Sequence, residues 1–233
     1  MNVTRSGLLR AAGLAAVVAG LLFVVIQPVH PHDTLESVTT NTWALVHYAT
    51  LVMTILFIVG IGGIYLRQVE ETGWLGLTGF VILTLALLIT AAFVFLEAFI
   101  EPLLAATEPE FVESLLGVVG GTGATVDLGP LPMLWSVSGV LFPLGCLVFG
   151  IAGMRAGILS RWASGVFAFG LPVAIAVVSM LPQDLHRVGA IPVGIGLAWL
   201  GYSLWSERPV PATEQPLHRT GSVRPDPSPA SQA

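Results

Sequence analysis

Six long apolar runs, separated by short stretches that hold nearly all the charge, constrain this chain more than any other feature. They cover roughly 8–27, 43–66, 74–100, 131–154, 162–181 and 187–205, each near the length of about 20 residues that a helix needs to cross a hydrocarbon core. In lipid no water is at hand to pair backbone N–H and C=O groups, so such runs must be helices that pair them internally. Charged residues make up 10% of the 233, against roughly 25% in a soluble domain. That excludes a soluble enzyme and a disordered chain. The net charge of −5, with no basic patch, excludes a nucleic-acid binder. The predicted fold is all-α: a polytopic membrane protein, with a six-transmembrane-helix bundle over residues 1–206 and the lipid bilayer as its partner. No motif specifies a protein partner or a second copy.

The basic residues orient this bundle. All nine are Arg, and Arg near helix ends stays cytoplasmic. Arg5 and Arg10 precede the first run, Arg67 follows the second, and Arg155 and Arg161 lie between the fourth and fifth. Arg208, Arg219 and Arg224 follow the sixth. These eight fall on one side when both termini are cytoplasmic, and only Arg187 falls outside. The chain is therefore expected in the cell (cytoplasmic) membrane, with most carboxylates facing out. Trp43 and Trp135 are read as anchors at outer helix ends, and Trp74, Trp162 and Trp205 at inner ends. The start resembles a signal peptide in charge and apolar length, but no small-x-small site follows Ile26, so the first run is read as a retained helix.

Two outer segments are long. In the second, Thr107-Glu108-Pro109-Glu110 predicts a helix start, with Thr107 as N-cap and Glu110 as its reciprocal partner. Phe111, Val112, Leu115, Leu116 and Val119 then form an apolar stripe. This predicts a short amphipathic helix lying on the outer membrane surface, followed by a flexible glycine-rich link from Gly117 to Gly129. The tail 207–233, rich in Pro, is expected to be disordered in the cytoplasm.

The second and fourth runs end alike: Val59-Gly60-Ile61-Gly62-Gly63 before Arg67 and Trp74, and Phe149-Gly150-Ile151-Ala152-Gly153 before Arg155 and Trp162. A duplicated hairpin accounts for this, and so does shared membrane grammar, with small residues for close packing and Arg and Trp for the interface.

Ionisable groups inside the membrane are costly, so they mark candidate sites. Glu97 is the deepest acid, and Glu101 lies one helical turn later. His47 lies four residues into the second run, about 6 Å below the outer interface. The second and third helices are neighbours, so His47 and Glu97 are expected to meet. His30, His32 and His186 belong to the same outer region. Thr50, Thr54 and Thr90 extend the two helix faces as polar stripes, which would line a cavity open to the outside.

Three functions fit this set. The first is structural, regulatory or sensory, with an outward His/carboxylate pocket. The second is a site for a divalent metal or haem, since imidazole with carboxylate suits such ions. No spacing of the HExxH kind supports it, and a haem could use only His47 with His186. The third is a small proton-coupled transporter with Glu97 as the protonatable group. The lone Cys146 excludes an intrachain disulfide and any thiolate cluster. No catalytic set is legible, and the leaning is towards a protein that is not an enzyme.

Overall fold

The apolar runs form helices because their backbone must pair internally, even where Pro143 and Pro172 remove a donor inside the fourth and fifth runs, and threonines close several of the open ends. The computed structural model describes residues 4–178 and 183–207. In it Thr4 caps helix α1 (Arg5–Val29), its hydroxyl accepting from Gly7 N–H at 3.1 Å. A one-turn helix α2 (Leu35–Val38) leads to Thr40, which caps α3 (Asn41–Arg67) by accepting from Trp43 N–H at 3.2 Å. Helix α4 (Val69–Phe95) breaks at Gly73, whose φ of 52° is open to glycine without strain. It passes through a π turn at Leu96–Ile100 into α5 (Glu101–Leu104). Then come α6 (Pro109–Gly120), α7 (Leu131–Ala156) and α8 (Arg161–Val178). A 3-10 turn at Gln183–Ala190 enters α9 (Ile191–Ser206).

Among the described residues, five helical segments are long and apolar enough to cross a membrane: Arg5–Val29, Asn41–Arg67, Val69–Leu104, Leu131–Ala156 and Arg187–Ser206. No strand occurs among the described residues. The expected helix at 187–205 proves composite, since Arg187 belongs to the 3-10 turn and the α-helix starts at Ile191. His186 lies in that turn, and its side chain is outside the described residues. So are residues 208–233, which hold all of the expected tail except Glu207.

The long helices close into a ring in the order α1, α3, α4, α7, α8, α9 and back to α1. Its packing is that of a membrane protein. Helix α1 buries Ala12, Gly13, Ala16, Ala19 and Gly20, and turns Leu8, Leu14, Leu21 and Val25 outward. A soluble helix does the reverse. Small residues let backbones touch where lipid gives no hydrophobic drive to associate. Along α1 and α9 the contact repeats every seven residues. A Cβ on Gly13 would lie 2.9 Å from the Gly201 carbonyl oxygen, and one on Gly201 would lie 2.6 Å from that of Gly13. Gly20 meets Gly194 in the same way.

Phenylalanines fill the middle of the ring. Phe57 of α3 is fully buried, with ring centroids 6.3 Å from Phe23 of α1, 6.2 Å from Phe142 of α7 and 6.1 Å from Phe167 of α8. Phe149 joins at 6.2 Å from Phe167.

The two glycine-ended helices do not use their glycines alike. Gly60 packs on Ala16 of the preceding helix α1, whereas Gly150 packs on Ser164 and Ala168 of the following helix α8. The shared pattern therefore serves close packing in two unrelated contacts.

At one end of the ring lie Arg5, Arg10, Arg67, Arg155 and Arg161, with Trp74 and Trp162 more than three-quarters exposed. There Arg67 pairs with Glu207 at 2.6 Å, and Arg10 lies over the Trp205 ring at 5.8 Å. Arg187, the exception in sequence, is at the opposite end, paired with Asp33 at 2.6 Å.

Three local expectations are corrected. The cap of α6 is Glu108, without a side-chain hydrogen bond, because Pro109 takes the first helical position that its fixed φ suits; Thr107 therefore makes no capping box. The apolar stripe of α6 is not laid open: Val112 and Leu116 pack on Val38 and Trp43, and Leu115 and Val118 pack on Phe93. Nor is Gly117–Gly129 a loose link. Gly117 and Gly120 remain helical, and the Ser114 hydroxyl accepts from the N–H groups of Thr125 at 3.0 Å and Val126 at 3.1 Å, folding the segment back. Ser114→Ala should leave these two N–H groups unpaired and lower stability by about 1–2 kcal/mol, readable as a lower Tm in detergent.

Candidate functional site

The π turn organises the end opposite the arginines. Its cause is legible in Glu101-Pro102. In the π turn the Glu101 N–H skips the usual partner and bonds the Leu96 carbonyl. The next donor in that register, to the Glu97 carbonyl, belongs to residue 102, and proline has none. The orphaned carbonyl is buried, so it needs a partner from another helix. Trp43 supplies it, its indole N–H donating to the Glu97 carbonyl at 2.8 Å. Trp43 is therefore fully buried and is not an interfacial anchor. Trp135 is partly buried and packs against Phe93, with ring centroids 5.0 Å apart. π turns recur at functional positions because they displace side chains from the helical register.

His47 sits one turn beyond Trp43. Its Nδ1–H donates to the Trp43 carbonyl at 2.8 Å, and its ring stacks on the indole at 4.0 Å. That hydrogen bond sets the tautomer, leaving Nε2 as a lone pair. Nε2 lies 3.5 Å from Glu97 Oε2 and has no hydrogen-bond partner. The two helices thus bring His47 and Glu97 together as expected, in contact rather than in a hydrogen bond. Glu101 is fully buried, and both of its carboxylate oxygens lack partners. Glu101, Asp33 and Arg187 are the charged groups acting on Glu97.

His30 completes the cluster from the end of α1. Its ring is 5.1 Å from that of His47, and its Nδ1–H donates to the Pro31 carbonyl at 2.7 Å. Burial, and then the Arg187 guanidinium, hold its pKa below the ordinary 6.5, against the opposing pull of the Pro31 hydrogen bond and Asp33. The folded state therefore prefers neutral His30. Below pH about 6.5 the unfolded chain takes up this proton more readily, so stability should fall as the pH drops through that value. Thermal unfolding at pH 7.5 and 5.5 measures this, and His30→Gln should shrink the difference.

His32 is exposed. The polar stripes do not line a cavity, because each hydroxyl is spent locally. Thr50 donates to the Val46 carbonyl and Thr54 to that of Thr50, both at 2.8 Å. Thr90 donates to the Ala86 carbonyl at 2.9 Å and meets the Ser138 hydroxyl at 3.0 Å. An open cleft of about 400 Å³ lies elsewhere at this end, between the α1–α2 loop and α6, and Asp33, Thr34, Glu113 and Thr122 are among its lining residues.

The chemistry of the cluster is that of hydrogen-bond acceptors. Among the described residues no three His, Cys, Asp or Glu side chains converge on one metal position. The His47 ring is stacked on Trp43 and aims Nε2 at Glu97, so the approach a haem iron needs is taken. In sequence Trp43 has the pattern of an interfacial anchor, and the role of Pro102 shows only in the π turn. Compared with models of known families, with curated proteins and with solved structures, the chain shows no match.

Proposed function

We propose that this chain is a six-pass protein of the cytoplasmic membrane, with α8 as its sixth crossing and both termini on the cytoplasmic side, and that it works as a sensor or regulator. One observation carries the reading. A buried His/carboxylate cluster sits at the end away from the arginines, and Phe23, Phe57, Phe142, Phe149 and Phe167 fill the ring beneath it. A carrier needs a polar path through the middle, and this packing argues against one. The Arg distribution favours the cluster facing outward, with α6 as an outer cap.

The π turn supplies a means of response. A π turn and an α turn place the following residues in different registers, so a change at Glu97 or Glu101 would shift α4, which runs to the opposite end. Hydrogen exchange tests this. Glu101→Gln should change the exchange of the amides at 67–73, about 40 Å away along the helix, by threefold or more. Identical exchange there in wild type and variant would leave the cluster without a readout and would count against a sensor.

A further inference from the structure

The buried atoms left without partners in the cluster share one property. His47 Nε2 presents a lone pair, because Nδ1 carries the proton given to the Trp43 carbonyl. The two Glu101 oxygens are acceptors. His47 and Glu101 are each at most 1% exposed, so bulk water does not serve these atoms, and a buried acceptor without a donor is costly. Glu97 Oε2, facing Nε2 at 3.5 Å, adds a further acceptor. Among the described residues, the cation that acts on Glu97, Arg187, is paired with Asp33.

We propose that His47, Glu97 and Glu101 form a binding site for one small ammonium-type cation, either the ammonium ion or the terminal amine of a short alkylamine. This deepens the sensor reading and rests on it. The occupant must bring N–H donors and positive charge. Two ionised carboxylates buried together are stabilised by an opposite charge beside them, and the imidazole lone pair accepts a hydrogen bond from an ammonium N–H. Donor count favours a hydrogen-bonding cation over a metal: His47 Nε2 and Glu97 Oε2 stand 3.5 Å apart, but among the described residues no third His, Cys, Asp or Glu joins them in a metal-holding group. An ammonium nitrogen reaches acceptors at about 2.9 Å, so its acceptors may stand up to about 4.7 Å apart. An open cleft at the same end has Asp33 and Glu113 among its lining residues. Two carboxylates at its mouth attract cations.

The test uses the full chain in detergent, where both ends are open and membrane orientation plays no part. At constant ionic strength, ammonium chloride and methylammonium chloride should raise Tm by roughly 3 °C. Tetramethylammonium chloride, which has no N–H, and sodium chloride should not. Equilibrium dialysis with radiolabelled methylammonium should find one site per chain, displaced by ammonium and not by sodium. Glu101→Gln should lose the shift, while Glu110→Gln, on α6 away from the cluster, should keep it. Should Glu101→Gln fail to fold, dialysis of the wild type decides alone. Absence of bound methylammonium, an equal effect of tetramethylammonium, or retention of the shift in folded Glu101→Gln overturns the proposal. Binding in detergent combined with a cluster facing the cytoplasm in sealed vesicles would leave the site standing and overturn the sensor reading.

Discussion

Gly20→Leu should remove most of the folded protein. A Cβ at position 20 would strike the Gly194 carbonyl and lie 2.6 Å from the Ala198 nitrogen, both fixed backbone atoms of α9. Nothing there can rotate aside, so the two helices must part. Parting them would also undo the matching contact of Gly13 with Gly201 one heptad away. Overpacking in a core costs about 1–3 kcal/mol, and a leucine wedged between touching backbones should exceed the upper figure, at roughly 4 kcal/mol. Gly62→Leu is the control, because a Cβ there meets nothing within 4 Å. It should be neutral or slightly stabilising, since glycine is a poor helix former. Unfolding in detergent, or the yield of monodisperse protein, separates the two.

Trp43→Phe should cost about 2 kcal/mol beyond the lost ring volume, because the Glu97 carbonyl would be left buried without a donor. Pro102 is why that carbonyl needs the indole, so Pro102→Ala, which restores an N–H at position 102, should relieve the dependence. In the Pro102→Ala background, Trp43→Phe should cost less by about 1 kcal/mol or more, a coupling that a double-mutant cycle measures. Strict additivity would mean that the indole matters to packing alone.

Much of the architecture was legible because bilayer rules act locally. An apolar run long enough to cross must be helical, and the run read over 43–66 is α3, Asn41–Arg67. The meeting of His47 with Glu97 followed from a short turn between two antiparallel helices. The remainder depended on contacts distant in sequence. Trp43 near a helix end has the signature of an interfacial anchor, and only the docking of α6 and the orphaned Glu97 carbonyl make it a core residue. The stripe of α6 reads equally well as facing lipid or protein, and the partner that decides it, Phe93, lies some twenty residues upstream. Two signals were present and unread. Pro109 fits the first helical position and so moves the cap to Glu108, and Pro102 denies a donor to Glu97 and so fixes the π turn. The threonines of α3 and α4 look like a polar lining in sequence, but a threonine in a helix can bond the carbonyl four residues back, as Thr50, Thr54 and Thr90 do.

In the proposed topology the His47–Glu97–Glu101 cluster and its α6 cap face outside, and the turn between α3 and α4 faces inside. Cysteine labelling in sealed right-side-out vesicles tests this most directly. In a Cys146→Ala background, Ala124→Cys lies on the exposed segment after α6, and Glu70→Cys on the exposed turn at the opposite end. A membrane-impermeant maleimide added outside should label Ala124→Cys at once, and Glu70→Cys only after the vesicles are lysed. Labelling of Glu70→Cys in intact vesicles, with Ala124→Cys protected, would contradict the account.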